Sequence, residues 1–326
     1  MKKMNNQKSL CSFIIPHLGR ESMLIDTLRS ISLLESDQTT IEVIIVTKNK
    51  KLLFDTTILS KNMRIIIEHA PMNVTISKQR NIGFQVSKGD LIAFLDADIL
   101  LASNWLITLS QLLDNSTKLV SAIQKESEQA PPLEVLRTQL SNAYIDCNVE
   151  FLPGRNLLMT RDTFIKSGGF PEHLVTCEDY VFTQKVSAQG FLYYTSKSSY
   201  IHLGEDKEFI EMAKKEIWRG QSNLLSLRGR KISLSEYPSF IAPPIFTIGL
   251  IAAIFCAAFH FYSVAFVCAL MSFFILSTYT LRLRKISKST LSPSNIMKFY
   301  SLYFPARTWG TLLGLMKPLR TNSHSK

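Results

Sequence analysis

From Phe240 to Leu281 the chain carries no charged side chain. One membrane-crossing helix needs about 20 predominantly apolar residues, so this run is long enough for two. His260-Phe261-Tyr262-Ser263 sits at its middle and supplies the natural turn. Arg228, Arg230 and Lys231 precede the run, while Arg282, Arg284, Lys285 and Lys288 follow it. Basic residues on both flanks predict a transmembrane helical hairpin whose two ends lie on the cytoplasmic side. A buried helical pair in a soluble protein is the competing reading, and the length of the uncharged run weighs against it.

The net charge of +11 over 326 residues has a definite location. Twelve of the 37 Lys and Arg, but only Glu236 among the 26 acidic residues, fall from Leu227 onward, so the preceding part is balanced. A nucleic-acid binder more often carries its excess on a folded domain beside stacking aromatics. Here the excess flanks an apolar run, which suits a membrane surface and excludes nucleic acid as the expected partner. The five cysteines, Cys11, Cys147, Cys177, Cys256 and Cys268, show no CxxC or His-paired spacing. Neither a disulfide framework nor a structural zinc site is expected, and a reducing compartment is the simpler reading. Met1–Leu10 is polar and lysine-bearing, so no secretory signal is expected there.

Ahead of the apolar run, short β-rich segments alternate with helical ones. Cys11–Pro16 reads as a buried first strand stopped by its proline, and Glu21–Leu34 as a helix with Leu24, Leu28 and Ile31 on one face. Ile41–Val46, Arg64–Glu68 and Leu91–Leu95 read as further strands, and Thr75–Val86 as a helix. This alternation predicts an α/β fold with a mostly parallel central sheet flanked by helices. Helices are also expected over Asn104–Leu113, Pro132–Tyr144, Glu178–Gln189 and Lys207–Leu227. The last segment, Ser294–Leu319, mixes aromatic and aliphatic residues with Lys298, Arg307 and Lys317 and reads as an amphipathic element interrupted by Pro305. The expected domains are 1–235 (catalytic), 236–285 (hairpin) and 286–326 (basic tail).

Asp96-Ala97-Asp98 follows the apolar strand Leu91–Leu95 directly. In parallel α/β sheets ligands bind beyond the carboxyl ends of the strands. Two carboxylates there call for a counter-charge, and a divalent cation, Mn2+ or Mg2+, is the economical one. Such an ion also binds diphosphate. An isolated Asp-x-Asp is weak evidence, because many such pairs are solvated strand ends. Its companions in sequence are Arg80-Asn81-Ile82-Gly83, Lys88-Gly89-Asp90, Gly154-Arg155-Asn156, Gly168-Gly169-Phe170 and Glu178-Asp179.

In that order, over about Ser12 to Arg219, these landmarks resemble the family-2 glycosyltransferases, whose catalytic domains have the GT-A fold. The resemblance implies an inverting, metal-dependent sugar transfer from a nucleotide-diphosphate sugar, and one hairpin without the processive-synthase motif favours transfer of a single sugar. The acceptor is expected to be lipid-linked or another glycan, in polysaccharide or glycolipid biosynthesis, at the cytoplasmic (inner) membrane. Pro16 would border the nucleotide site, and Arg80 and Asn81 would line the donor pocket. Asp96 and Asp98 would be the metal and nucleotide-sugar carboxylates, with Asp98 the more direct metal ligand. Asp179 would be the general base and Glu178 its support. His202 matches a late histidine that some relatives place near the metal, though a structural histidine is the even alternative. Arg219 would contact diphosphate or acceptor, or else begin the basic collar. Two departures stand out. Thr47-Lys48-Asn49 replaces the acidic residue that commonly contacts the nucleotide base, which leaves a UDP-sugar only the favoured donor. There is also no Gln-x-x-Arg-Trp motif of processive synthases. A catalytically silent membrane scaffold with the same fold is the alternative from another class. A nucleotidyltransferase fits less well, since no glycine-rich first loop stands at His17–Arg20.

Overall fold

The computed structural model describes residues 9–36, 39–54, 63–227, 234, 236–287 and 290–316. Arg228, Arg230, Lys231, Lys288 and Lys317 lie outside these residues. The described chain forms two compact units, one of residues up to 129 and 141–205, the other of 130–140 and 206 onward.

The first unit is built on one mixed sheet. Its elements are β1 (Leu10–His17), α1 (Glu21–Ser32), β2 (Thr40–Thr47), β3 (Arg64–His69), α2 (Ile76–Val86), β4 (Leu91–Leu95), β5 (Ile99–Leu101), α3 (Trp105–Leu112) and β6 (Thr117–Lys125). After α4 (Pro132–Ser141), most of which belongs to the second unit, come β7 (Cys147–Val149), β8 (Asn156–Thr160), α5 (Arg161–Ser167), α6 (Glu178–Ser187) and β9 (Phe191–His202). The strand order is β3-β2-β1-β4-β8-β6-β9-β5, with β7 on β9. The first four positions are parallel. Strand β8 runs against both β4 and β6, and β9 returns parallel to β6. The carboxyl ends of β1, β2 and β4 therefore share one edge.

Side chains alternate across a strand, so a sheet covered on both faces reads as an unbroken apolar run. Phe13, Ile15, Val43, Ile45, Ala93 and Leu95 join α1 and α3 in one buried cluster. Ile14, Ile44, Val46, Ile92 and Phe94 join Phe164, Phe170 and Phe182 in the other. Gly83 permits the close approach of α2: a Cβ there would collide with Ile14 Cγ2.

Pro16 does not stop β1. It pairs in register with Val46, and the strand continues to His17. The His17 carbonyl accepts from Lys48 N on the β2 side. Alternation turns position 16 toward β4, whose pairing with β1 has already ended at Ile14 and Phe94. The missing N–H of proline costs nothing where no ladder partner is left.

The second unit holds α7 (Phe209–Gly220), a short 3-10 turn (Leu225–Leu227), α8 (Tyr237–Ala258), α9 (Tyr262–Ile286) and α10 (Pro293–Met316). Helices α8 and α9 pack as a hairpin around a turn at Phe259–Phe261, where His260 takes a left-handed φ of 62°. Both are long and apolar enough to cross a membrane, and only 28% and 22% of their most apolar windows are buried. A soluble core pair would be mostly covered. Residue α10 position Pro305 does not interrupt that helix. Phe299, Tyr300 and Phe304 are buried in the unit's own core. Gly310 and Gly314 lie against the backbone of Ile217 and Gln221, so close packing on α7 holds the helix through the lost hydrogen bond.

Candidate active site

Asp98 is placed by strand pairing. It immediately precedes β5, whose antiparallel register sets Ile99 opposite His202, and Leu203 N donates to the Asp98 carbonyl at 2.8 Å. The Asp98 carboxylate is buried, with Oδ2 3.0 Å from Arg20 Nη1. Its Oδ1 faces His202 Nε2 at 3.3 Å but has no hydrogen-bond partner. On the other side of the ring, His202 Nδ1 makes a hydrogen bond of 3.3 Å with Glu205 Oε2. Burial pushes the Asp98 carboxyl up, but His202 and Arg20 beside it prevail and hold it below its ordinary range. Burial disfavours a charged His202, yet Asp98 and Glu205 outweigh it and raise the imidazole to about 9. Gly204 keeps the pocket open, because a Cβ there would collide with Asp98 Oδ2.

A buried carboxylate oxygen without a donor, facing an imidazole nitrogen, fits a cation. With metal–ligand bonds of about 2.1 Å, two adjacent ligands of an octahedral ion lie about 3 Å apart, close to the 3.3 Å seen here. Among the described residues no group of three or more His, Cys, Asp or Glu could hold an ion. Asp98 and His202 would therefore be the groups of this chain that hold such an ion.

Asp96 turns elsewhere. Its Oδ1 lies 3.0 Å from Nη2 of Arg80, while Arg80 Nη1 lies 3.0 Å from Glu178 Oε1. Arg80 is almost fully buried, donates also to the Gly154 carbonyl at 3.3 Å and stacks over Phe170. Gly154 leaves room for it, since a Cβ there would approach the guanidinium to about 3.0 Å. Arg80 thus ties the acidic turn after β4 to the acidic pair opening α6. Burial, with Asp179 adjoining, raises Glu178 to about 7 despite Arg80. Asp179 accepts from Gly154 N at 3.2 Å and from its neighbour Tyr180 N at 2.8 Å.

Asn81 is engaged with the loop after α5. Its Oδ1 accepts from Phe170 N at 3.0 Å, and its Nδ2 donates to the Phe170 carbonyl and to Glu172. Gly168 and Gly169, both at positive φ, give that loop its turn. Pro16 lies at the sheet edge one residue before His17, whose Nδ1 is 2.9 Å from Thr47 Oγ1. Where relatives were expected to carry an acidic residue, Asn49 instead links Gly19 N to the Glu21 carboxylate. Arg219, in the second unit, pairs with Asp206 and Glu216.

Sequence reasoning singled out Asp96, Asp98, Arg80, Glu178, Asp179 and His202, and the structure gathers them into two linked groups. It missed Arg20, Gln124, Glu205 and the role of Arg155. The spacing His202-Leu203-Gly204-Glu205 was the available signal for Glu205, since a turn returns residue i+3 to residue i.

The sheet order, with the acidic turn beyond β4, is that of the GT-A fold. Residues 12–168, a little under half of the chain, match the family model for glycosyl transferase family 2. Among solved structures it resembles the mannosyltransferase PcManGT from Pyrobaculum calidifontis in complex with GDP-Man and Mn2+. The identity there is 13% with a TM-score of 0.59, over 95% of this chain and 88% of that one. S. aureus TarS 1-349 in complex with UDP-GlcNAc matches at 13% identity and a TM-score of 0.49, over 92% and 90% of the two chains. No curated protein sequence matches the chain.

Proposed function

We propose that this glycosyltransferase transfers a single sugar, with inversion, from a nucleoside-diphosphate sugar to a lipid-linked or glycan acceptor at the cytoplasmic face of a membrane. The observation that carries the reading is the buried, hydrogen-bond-free Asp98 Oδ1 facing His202, joined in the same unit by the Arg80 bridge from Asp96 to Glu178. The solved relative bound to GDP-Man and Mn2+ supports a nucleotide sugar and a divalent ion as the ligand classes. A mixed oxygen and nitrogen pair favours Mn2+ over Mg2+, which prefers oxygen alone. UDP-sugar remains the first donor to test.

In this reading Asp98 and His202 hold the ion. When bound, the ion supplies the positive charge that balances the diphosphate and stabilises the charge growing on it as it departs. Arg20, half-exposed beside Asp98, adds a second cation at the same place. Asp96, oriented by Arg80 and partly open to solvent, contacts donor hydroxyls. Asp179 takes the proton of the acceptor hydroxyl as its oxygen attacks the anomeric carbon and the bond to the diphosphate oxygen breaks. Two backbone N–H groups hold its carboxylate in place. A single displacement inverts the anomeric centre. Glu178 and Arg80 keep Asp179 and the donor side in register.

The hairpin α8–α9 tethers this chemistry to the bilayer, with the basic flanks setting its orientation. The test is a panel of nucleotide sugars incubated with the full-length, detergent-solubilised protein, with Mn2+, with Mg2+ and with chelator. Release of one nucleoside diphosphate that needs the ion and disappears in Asp98→Asn is expected. Full release in the presence of chelator would reject the ion-dependent mechanism. Failure of every donor to bind would favour the silent scaffold.

A further inference from the structure

We infer that Glu205, oriented by Gln124 and Arg155, is a positioning residue that fixes the tautomer of His202 and turns its Nε2 lone pair toward Asp98. The inference rests on the reading of Asp98 and His202 as the ion-holding pair, and goes beyond it by assigning what prepares that pair.

The Arg155 guanidinium can only donate. Its Nε donates to Tyr200 Oη at 2.9 Å, and its Nη2 donates to Ser141 Oγ and to Gln124 Oε1, both at 2.8 Å. An amide side chain facing a guanidinium must present its oxygen, so the orientation of the buried Gln124 is settled. Its Nε2 then points the other way and donates to Glu205 Oε2 at 3.0 Å. That same oxygen is the partner of His202 Nδ1 at 3.3 Å. An oxygen that already accepts from Gln124 accepts from the ring too, so Nδ1 carries the proton.

A neutral imidazole has one N–H. With Nδ1 committed to donating to Glu205, Nε2, which faces Asp98 Oδ1 at 3.3 Å, is the nitrogen that would give up its proton to take an ion. The two contacts of the ring differ in kind. The one to Glu205 has hydrogen-bond geometry, whereas Asp98 Oδ1 has no hydrogen-bond partner. The Asp98 oxygen and the His202 nitrogen would together hold a cation once Nε2 has lost its proton. Ring nitrogens of metal-bound histidines commonly rest on a carboxylate in this way, and removing such a partner typically weakens metal affinity 10–100-fold. The positions also explain why the relay is rigid. Gln124 ends β6, Tyr200 and His202 end β9, Arg155 precedes β8, and all three strands belong to the same sheet.

A relay that merely pinned β6 to the end of β9 would leave the metal's ligand set unchanged, which makes the distinction measurable. The experiment is Mn2+ binding to the full-length protein in detergent with a nucleoside diphosphate present. Affinity is followed by the free-Mn2+ electron paramagnetic resonance signal, and ligation by the nitrogen modulation of the electron spin echo. The wild type should show a nitrogen coupling that vanishes in His202→Ala. Glu205→Leu should lose that coupling and bind Mn2+ about 10–100-fold more weakly. Glu205→Gln, whose amide oxygen can still accept from Nδ1, should keep the coupling with a smaller loss of affinity. Gln124→Leu leaves the carboxylate present but removes the amide donor that orients it, and should weaken affinity and broaden the coupling; it replaces Glu205→Leu if that variant does not fold. Unchanged affinity and coupling in either folded leucine variant would overturn the inference. A wild type that binds Mn2+ through Asp98 with no nitrogen coupling would instead overturn the assignment of His202 beneath it.

Discussion

At the scale of single residues, the two acidic groups of the first unit are prepared for different tasks. Asp98 faces His202 with one oxygen and Arg20 with the other, whereas Glu178 shares a buried guanidinium with Asp96. Asp179, between Glu178 and Tyr180, is held by backbone donors and is the carboxylate assigned to proton removal. Asp179→Asn should lower donor turnover about 10²–10⁴-fold while leaving donor affinity nearly unchanged; a matched loss of affinity would move Asp179 into the binding role. Glu178 yields a stability prediction with a definite sign. Its folded-state value of about 7 lies above the ordinary 4.5, so the folded protein binds the proton more tightly. Wild-type stability relative to Glu178→Gln should therefore fall as pH rises from about 4.5 to 7, by up to about 3 kcal/mol. Denaturant unfolding at several pH values checks this, and a difference that is flat or of opposite slope would refute it. Asp96 and Asp98 were legible because the pair follows an apolar strand directly and stands in order with Arg80, Gly154, Gly168 and Glu178-Asp179, although such a pair alone is commonly a solvated strand end. Arg20 was not, because it acts between elements that no spacing in the sequence brings together, and Glu205 was signalled only by its i+3 spacing from His202.

At the scale of elements, the β-rich runs that end at Val46 and Leu95 announced themselves by being apolar on both alternating faces, which only a doubly covered strand requires. The prolines were the weak point. Pro16 lies beyond the last β1–β4 pair and Pro305 lies in a helix clamped by its neighbours, so in both cases tertiary context overrode a local stop signal. Which strands β8, β6 and β9 join, and in which direction, was not legible, since short strands separated by helices leave pairing open. Close glycine contacts are equally invisible in sequence and equally consequential. Gly83→Ala should cost about 1–3 kcal/mol through overpacking against Ile14. Equilibrium unfolding measures it, and a neutral substitution would show that α2 can shift without loss.

At the scale of the whole molecule, the reading joins a glycosyltransferase unit to a helical hairpin that leaves Ile251 and Phe266 exposed on its surface. Such faces have a natural solvent in lipid. The wild type should remain with membranes after alkaline carbonate extraction. Ile251→Lys with Phe266→Lys should release it or abolish its accumulation, because a lysine near the middle of a span, as at position 251, opposes insertion by about 2.5–3.5 kcal/mol. Retention of the double variant in the membrane fraction would count against a spanning hairpin.

The central claim, that Asp98 and His202 present an ion to a nucleoside diphosphate while Asp179 performs the proton transfer, has a direct test that needs no acceptor. It is titration calorimetry of a nucleoside diphosphate into the full-length protein, with and without Mn2+, for wild type, Asp98→Asn and Asp179→Asn. Binding that requires Mn2+ in the wild type, survives in Asp179→Asn and is lost in Asp98→Asn is the result the account predicts. Equal binding by all three proteins with or without the ion would contradict it.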